Sequence, residues 1–313
     1  MTTWKVLISD GLSDRGIAIL SSAAQVDNKP DISADDLLKV AGEYDGMVVR
    51  GRTKVTAAIF DAAAHLKVVG RAGVGVDNID LTAARSHWVT VVNAPKSTSL
   101  AVAELTLAMM FSLARMLPKA DASMKQGQWI KKQLEGIELN GKTLGIVGTG
   151  NIGTLLAGRA SALGMKVLGF DSLVEGDEIK KRGIEPVSLA DLYAMSDFIS
   201  FHLPLTPESK GMVNGQAFAQ MKRGVRIIDA ARGGILDETA LLAALESGQV
   251  AAAALDVFAT EPPGLTALVA HPNVVATPHI GAQTEEAQDR AAEDIASEVL
   301  NALRGDPLRW KIV

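Results

Sequence analysis

Short hydrophobic runs rich in β-branched residues alternate with helical patterns along most of the chain. The first third contains the runs KVLI, DGMVV, LKVV and VTVV, and a second series from residue 142 contains TLGIV, KVLGF, FISF, VRIID, AAALDV and NVVAT. Segments with apolar residues at helical spacing lie between these runs, as at 34–42, 56–64 and 81–85. The alternation predicts parallel sheets with helices on both faces, and the two series predict two α/β domains.

Two longer helices are expected in addition. Residues 99–116 are too apolar for a surface helix, so we expect both faces to be covered, either inside one domain or at a subunit interface. Residues 284–304 have acidic and apolar positions at helical spacing and end at the helix stop Gly305-Asp306-Pro307. If this last helix packs back on the first domain, residues 1–97 plus 285–313 form one discontinuous domain around an inserted domain of residues 98–284.

Composition and charge narrow the class of protein. The 313 residues include no cysteine, which excludes disulfides, thiolate nucleophiles and cysteine-ligated metals. A net charge of -5 gives no reason to expect nucleic-acid binding, and MTTWKVLISD lacks the features of a signal peptide. The most apolar stretch, LTLAMMFSLA, is far shorter than the roughly 20 residues that a membrane span needs. We therefore expect a cytoplasmic protein without a metal, membrane or nucleic-acid site.

The most specific motif is GKTLGIVGTGNIGTLLAGRASALGMKVLGFD, in which a strand runs into a glycine-rich turn, a helix follows, and a second strand ends at an acid. In dinucleotide-binding folds the first glycine makes the turn, the second admits the pyrophosphate and the third lets the helix pack closely. The N–H groups at the start of the helix bind the phosphates. The residues concerned are Gly148, Gly150, Gly153, Asn151 and Ile152.

The acid at the end of the second strand, Asp171, favours NAD over NADP. Its carboxylate can accept both hydroxyls of the adenosine ribose, whereas a 2′-phosphate would meet its negative charge. No arginine follows directly, because the next residues are SLVE. The basic residues 180–182 are interpreted as the solvated end of a helix.

Three polar residues follow successive strands of the second series, where open α/β sheets collect catalytic groups. His279, in TPHIGAQT, is the candidate base for the hydroxyl proton in an alcohol oxidation. Glu261, in ATEPP, would orient the imidazole and keep a proton available for the reductive direction. Arg232, in AARGG, would supply positive charge for the substrate oxygen or a neighbouring carboxylate. The alternatives are a helix-capping histidine and an exposed loop acid.

Taken in order, these motifs resemble those of the D-isomer-specific 2-hydroxyacid dehydrogenases. GTGNIG, AARGGILDE, ALDVFATEPP and TPHIGAQT match that family in spacing, and the match covers essentially the whole chain. The resemblance implies a Rossmann cofactor domain inserted into a flavodoxin-like substrate domain, NAD as cofactor, and a homodimer. It also implies that Arg232 binds the substrate carboxylate and keto oxygen, that His279 is the general acid/base, and that Glu261 is its partner.

The same resemblance implies further contacts to the cofactor. Asp256 would hold the nicotinamide carboxamide, and backbone groups after the other strands would complete the site. The cofactor residues implied in this way are Leu203, Pro204, Ala230, Ala231, Asp256, Gly281 and Ala282. His202 follows the strand FISF at its carboxyl end, where open α/β sheets bind ligands, so we expect it to lie at the adenosine half of the cofactor.

Runs such as VRGRTKVT and VVGRAGVGVDNIDL are most similar to the branch of the family that oxidises D-3-phosphoglycerate to 3-phosphohydroxypyruvate in serine biosynthesis. The backbone at Val74 and Gly75 would bind the substrate carboxylate. A cluster of cations would suit the phosphate, although scattered surface cations are the alternative interpretation. The candidate cations are Arg50, Arg52, Arg71 and Lys131.

Two other functions fit the same motifs. A glyoxylate or hydroxypyruvate reductase would use the same three catalytic residues without a phosphate site. An NAD-responsive scaffold, similar to the corepressors of this family, keeps the three residues but carries extra interaction tails. Because the chain ends at Val313, soon after the last helix, we expect neither such tails nor a C-terminal regulatory domain that binds serine.

Overall fold

The computed structural model describes residues 4–313, which fall into two compact units. One unit comprises the chain up to Ser99 together with Ala282–Val313, and the other comprises Leu100–Gly281. Each unit has one sheet, and all the strand pairs within the two sheets are parallel. The predicted α/β class with two parallel sheets is thus confirmed.

The first unit is built on a five-stranded sheet of order β2-β1-β3-β4-β5. Its strands are β1 (Trp4–Ile8), β2 (Ala24–Asn28), β3 (Gly46–Val49), β4 (Val68–Arg71) and β5 (Thr90–Asn93). The helices between them are α1 (Asp14–Ser21), α2 (Ala34–Val40), α3 (Ala57–Ala62) and α4 (Leu81–Ser86). This is the flavodoxin-like order, which reverses between β1 and β3, and ligands of such sheets bind beyond the carboxyl ends of the strands at that point.

The second unit contains a seven-stranded sheet of order β12-β11-β10-β9-β6-β7-β8. Its helices are α5 (Ser99–Arg115), α6 (Leu117–Lys125), α7 (Asn151–Ala162), α8 (Gly176–Lys181), α9 (Leu189–Met195), α10 (Gly215–Gln220) and α11 (Glu238–Glu246). Its strands are β6 (Thr143–Val147), β7 (Lys166–Phe170), β8 (Glu185–Pro186), β9 (Phe198–Phe201), β10 (Val225–Asp229), β11 (Val250–Leu255) and β12 (Val274–Ala276). The order is that of the dinucleotide-binding fold with one added strand, β12, and it reverses between β6 and β9.

The last helix, α12 (Glu285–Arg304), belongs to the first unit and packs on α1 and β4. The side chain of Thr284 caps its start, and Gly305 ends it in the left-handed conformation with φ of 77°. Both features agree with the helix signals in the sequence. The apolar face of α12, with Ile295 and Val299, covers one side of the sheet and completes a core there.

Strands β2 and β8 were not predicted from the hydrophobic pattern. Each lies at an edge of its sheet and pairs with only one neighbour, β1 or β7. The sequence of β2, AQVDN, is correspondingly polar. An edge strand can be polar because less of it is covered, so the hydrophobic pattern can miss such a strand.

Helix α5 is enclosed on one face by the described chain itself, and cover of its other face at a subunit interface stays a prediction. Met109, Met110 and Leu113 are at most 5% exposed and pack under the second sheet. Phe111, in contrast, is 40% exposed. Within residues 4–313, no single helix has the length and apolar character to cross a membrane, whereas α5 and α6 together, bent by 66°, meet that test on length and composition.

Candidate active site

The turn between β6 and α7 has the shape that a dinucleotide phosphate requires. Gly148 has φ of 97°, which favours glycine, and a Cβ there would overlap the carbonyl group of His202. A Cβ at Gly153 would overlap the carbonyl oxygen of Gly148, so glycine is required for this close packing. Gly150 faces open space, and among the residues that the structure describes no side chain caps the start of α7. An uncapped helix start with an open approach fits a phosphate group.

Asp171 lies beside this turn, directly after β7. Its Oδ2 accepts a hydrogen bond from the Thr149 N–H at 2.8 Å, and its Oδ1 accepts one from the Leu173 N–H at 2.9 Å. Arg182 also contacts the turn, because its guanidinium donates to the Thr149 carbonyl oxygen at 2.6 Å. The interpretation of residues 180–182 as a solvated helix end is therefore wrong for Arg182, whose side chain is 27% exposed.

His202 follows β9, on the other side of the point where the strand order reverses. Its Nε2 lies 2.9 Å from the Oγ of Ser200, while its Nδ1 is shielded from solvent and has no partner among the described residues. Burial lowers the pKa of the imidazole to about 4, so the ring is neutral near pH 7. A shielded, unpartnered nitrogen next to the glycine turn fits a hydrogen bond to a bound ligand.

His279 and Glu261 form a hydrogen-bonded pair. The Nδ1 of His279 lies 2.8 Å from the Oε2 of Glu261, and the two side chains are 49% and 38% exposed. The other carboxylate oxygen, Oε1, accepts a hydrogen bond from the Phe258 N–H at 3.1 Å. Because a carboxylate can only accept, the pair places the proton on Nδ1 and leaves Nε2 to exchange a proton with a substrate.

The turn that carries His279 is fixed by a buried carboxylate. His279 has φ of 53°, a left-handed conformation that costs about 1 kcal/mol for a residue with a Cβ. Asp256, which is 1% exposed, accepts from the Thr277 Oγ1 at 2.6 Å and from the Ile280 and Gly281 N–H groups at 2.8 Å each. These bonds offset the strain and hold the imidazole in place. The expected contact of Asp256 with the cofactor stays a prediction.

Arg232 lies on the turn after β10, next to the segment that carries Glu261. A Cβ on the following residue, Gly233, would overlap the carbonyl oxygen of Phe258, and the Phe258 N–H bonds to Glu261. The backbone contacts therefore bring the Arg232 turn close to the pair of Glu261 and His279. All three predicted catalytic residues lie beyond the carboxyl ends of β10, β11 and β12, at one edge of the second sheet.

A buried carboxyl group to which the sequence analysis assigned no role lies under the Arg232 turn. Asp229 is 2% exposed, and its Oδ1 accepts from the Ala231 N–H at 2.9 Å. Burial raises the pKa of this carboxyl group to about 7, and the negative charge of Asp256 contributes to the rise. The shift is opposed by hydrogen bonds from the backbone of Ala231 and Arg232 and by the positive charge of Arg232. The sequence contains a signal for this buried acid, because Asp229 is the last residue of the mostly apolar strand VRIID.

The predicted phosphate residues of the first unit differ in their contacts. Arg50 is half-buried, and burial lowers the pKa of its guanidinium while the charge of Asp10 opposes this shift. The guanidinium of Arg52 lies 3.2 Å from Asp10 and donates to several backbone carbonyls. Those contacts favour a structural role for Arg52 over the predicted phosphate contact. The acceptors are the carbonyl oxygens of Ser9, Pro30 and Ile32, at 2.6, 2.5 and 3.1 Å.

Asp10 and Asn78 shape the loop after β3, although the sequence analysis assigned neither a role. The Oδ2 of Asp10 accepts from the Arg50 N–H at 2.7 Å and the Thr53 N–H at 3.1 Å. The Nδ2 of Asn78 donates to the carbonyl oxygens of Arg50 and Thr53 at 2.9 and 2.6 Å. The backbone of Arg50 is thus fixed at the point where the order of the first sheet reverses.

The other predicted substrate residues are spread along the chain. Arg71 ends β4 and donates to the Ala72 carbonyl oxygen at 3.2 Å. The turn of Val74 and Gly75 follows, and the Nδ2 of Asn93 donates to the Val74 carbonyl oxygen at 2.7 Å. Lys131 is exposed and belongs to the second unit, where it begins a short 3-10 helix.

Comparisons with known proteins identify a family and relatives that the chain resembles. Residues 107–281 match the family described as D-isomer specific 2-hydroxyacid dehydrogenase, NAD binding domain. D-3-phosphoglycerate dehydrogenase of Rattus norvegicus is 48% identical over 305 residues, covering 97% of this chain and 57% of the rat protein. The protein of that name from Methanocaldococcus jannaschii is 44% identical over 303 residues, covering 96% of this chain and 58% of its own length.

A solved structure extends the likeness to the whole fold. The crystal structure of a glyoxylate reductase from Paecilomyes thermophila has a TM-score of 0.91 at 29% identity, covering 100% of this chain and 99% of that one. The chain spans 57–58% of the length of the two phosphoglycerate dehydrogenases. The region that matches the family contains the glycine turn, Asp171 and the three candidate catalytic residues. The chain belongs to the D-isomer-specific 2-hydroxyacid dehydrogenase family, with NAD as its cofactor.

Proposed function

We propose that the chain oxidises D-3-phosphoglycerate to 3-phosphohydroxypyruvate with NAD, the reaction that begins serine biosynthesis. The observation that carries the proposal is the pair of His279 and Glu261, joined at 2.8 Å beside the turn of Arg232. A proton acceptor next to a cation is what the oxidation of a 2-hydroxy acid requires. The 48% identity with a D-3-phosphoglycerate dehydrogenase supports this choice of substrate.

The three catalytic residues divide the work of the reaction. The Nε2 of His279 takes the proton of the substrate C2 hydroxyl while its Nδ1–H stays bonded to Glu261, whose carboxylate stabilises the resulting imidazolium. The guanidinium of Arg232 binds the substrate carboxylate and the C2 oxygen, where negative charge develops as the proton leaves. Bound NAD would supply the acceptor for the hydride that leaves C2. In the reductive direction His279 returns its proton to the keto oxygen.

NAD would be held around the glycine turn of the second unit. The uncapped start of α7 would bind the pyrophosphate, Asp171 would accept the adenosine ribose hydroxyls, and the Nδ1 of His202 would bond a polar group of the cofactor. Asp256 would contact the carboxamide in addition to the turn that it holds. Further contacts are proposed for the residues around Leu203, Pro204, Ala230, Ala231, Gly281 and Ala282.

Arg50 is the residue of the first unit that we propose for the substrate phosphate. Its backbone is fixed at the carboxyl end of β3, where the strand order reverses and ligands of such sheets bind. Its guanidinium, unlike that of Arg52, makes no hydrogen bond to the described part of the chain. A half-buried cation without such a bond is suited to a dianionic ligand.

Substitution of Arg50 by Ala should raise the KM for D-3-phosphoglycerate roughly ten- to a hundredfold, the value of one or two charge-assisted hydrogen bonds. The KM for D-glycerate should hardly change, because that substrate has no phosphate. Arg52→Ala is the matched control: it should lower the Tm, since it removes bonds to three backbone carbonyls. An equal rise of both KM values in Arg50→Ala would refute the assignment.

The function itself is tested by the kcat/KM for D-3-phosphoglycerate against that for D-glycerate, both measured with NAD. We expect a preference of about tenfold or more for the phosphorylated acid. Equal values would support the second candidate, a glyoxylate or hydroxypyruvate reductase, which the structural likeness to a glyoxylate reductase favours. Absence of NAD reduction with every 2-hydroxy acid tried would contradict both.

We also propose that the chain forms a homodimer through the α5–α6 region. Large apolar side chains are exposed there within a short stretch, which is unusual for a surface that faces water. Sedimentation equilibrium tests this, and a monomer at micromolar concentration would contradict it. The residues are Phe111, Leu117, Met124 and Trp129, which are 40%, 51%, 58% and 78% exposed.

A further inference from the structure

The mechanism above gives no function to the carboxyl group of Asp229. It is 2% exposed, lies directly under the turn that carries Arg232, and accepts hydrogen bonds from the backbone of that turn, including one from Ala231 at 2.9 Å. An acidic side chain at a fully buried position is costly when it is ionised. Because it lies beneath the turn of Arg232, a gain or loss of its proton changes the charge next to that guanidinium.

The groups around Asp229 come from three elements. Arg232, on the turn of Asp229 itself, attracts its negative charge. Asp256, after β11, repels it, and the Asp256 N–H donates to the Asp229 carbonyl oxygen at 2.8 Å. On the other side Phe201 of β9 is paired with Asp229, and the next residue, His202, is neutral. Burial and Asp256 together outweigh Arg232, which raises the pKa of Asp229 to about 7.

Glu261 and His279 are further titratable groups at this edge. They are held by other bonds, Glu261 by the Phe258 N–H and the His279 turn by Asp256. Neither acts on the carboxyl group of Asp229 as strongly as Arg232 and Asp256 do. A change in the charge of Asp229 should therefore affect Arg232 first and leave the acid/base pair in place.

We propose that Asp229 is a positioning residue for Arg232: it fixes the Arg232 turn through the backbone, and only its protonated form leaves the full guanidinium charge to an anionic substrate. The inference rests on the proposed function, in that Arg232 is taken to bind the substrate carboxylate. When Asp229 loses its proton, its negative charge competes with the substrate for Arg232 in a water-poor setting. Affinity for a carboxylate ligand therefore falls as the pH rises through neutrality.

Binding of oxalate to the NADH-saturated protein, measured by calorimetry across pH, tests this without turnover. Oxalate keeps its full charge over the range, so its own titration does not contribute. If oxalate raises the pKa of Asp229 by about one unit, its Kd in the wild type rises about fivefold from about pH 6 to about pH 8. Asp229→Asn keeps an oxygen for the Ala231 N–H but cannot ionise, so its Kd should change less than about twofold over the same pH range.

Asp237→Asn is the matched control. The carboxylate of Asp237 also accepts backbone N–H groups, those of Thr239 and Ala240, but it is exposed at the start of α11. This variant should show the pH dependence of the wild type. A Kd that varies equally with pH in the wild type and Asp229→Asn would overturn the proposal, as would an absence of oxalate binding to the wild type.

The titration of Asp229 can also be observed directly in the ligand-free protein. With aspartate labelled with ¹³C at the side-chain carboxyl carbon, one signal should be missing in Asp229→Asn, and in the wild type it should titrate near pH 7. A signal that stays ionised down to about pH 5 would overturn the proposal. Oxidation of D-3-phosphoglycerate is assayed in parallel. Failure of that activity alone contradicts the proposed function, whereas equal pH dependence of oxalate binding in both proteins contradicts the role of Asp229 alone.

Discussion

Replacement of His279 by Ala should lower the kcat for D-3-phosphoglycerate oxidation about a hundred- to ten-thousandfold, the usual contribution of a general acid/base. The hydroxyl proton must leave as C2 is oxidised, and the Nε2 of His279 is the proposed acceptor, because Nδ1 is bonded to Glu261 at 2.8 Å. The affinity for NAD should hardly change, since the glycine turn does not involve His279. Steady-state kinetics and NAD binding by fluorescence measure the two effects separately.

His271→Ala provides the control for this substitution. Within residues 4–313 the ring of His271 accepts one local bond, from the Asn273 N–H at 3.2 Å, before β12, and its loss should leave kcat unchanged. Glu261→Gln, which retains the shape of the pair without its charge, should lower kcat less than His279→Ala does. If His279→Ala keeps most of the wild-type kcat, His279 is not the acid/base.

Substitution of Arg232 by Ala should lower kcat/KM more than about a hundredfold. This corresponds to a loss of about 3 kcal/mol or more of transition-state stabilisation. The guanidinium is proposed to bind the substrate carboxylate and the oxygen on which charge develops, so both binding and the chemical step are affected. The small residues on either side, Ala231 and Gly233, leave the backbone of the turn in place when the side chain is shortened. Kinetics with D-3-phosphoglycerate and a thermal melt together measure the outcome.

Arg223→Ala is the control for charge and size. Arg223 is an exposed arginine that donates to the Ser247 carbonyl oxygen at 3.1 Å, and it precedes β10, whereas the Arg232 turn follows the other end of that strand. It should keep the wild-type kcat/KM. A loss in Arg232→Ala that is confined to thermal stability would mean that Arg232 supports the fold and does not bind substrate.

The cofactor turn was the part of the molecule most accessible from sequence, because its requirements are local. Gly148 must adopt positive φ, and Gly153 must pack against the Gly148 carbonyl oxygen. Each requirement selects glycine at its own position. The proximity of Glu261 and His279 was also predictable, since each follows a strand and β11 and β12 are neighbours. Parallel strands bring their carboxyl ends to one edge, whatever lies between them in the chain.

Contacts between distant segments were not predictable in the same way. Arg52 resembles a ligand-binding cation in sequence, yet its guanidinium holds the carbonyls of Ser9, Pro30 and Ile32. The sequence places Arg182 at the end of a helix and predicts that it is solvated, yet its guanidinium donates to the carbonyl oxygen of Thr149. A long side chain can reach partners on many elements, so its spacing in the sequence does not determine which one it meets.

The most direct test of the central claim is hydride transfer itself. The protein is incubated with NAD and D-3-phosphoglycerate deuterated at C2, and the reduced cofactor is analysed by mass spectrometry. The account predicts that NADH forms with one deuterium from the substrate, that 3-phosphohydroxypyruvate is the product, and that His279→Ala forms far less of both. Absence of reduced cofactor, or reduced cofactor without the deuterium, would contradict it.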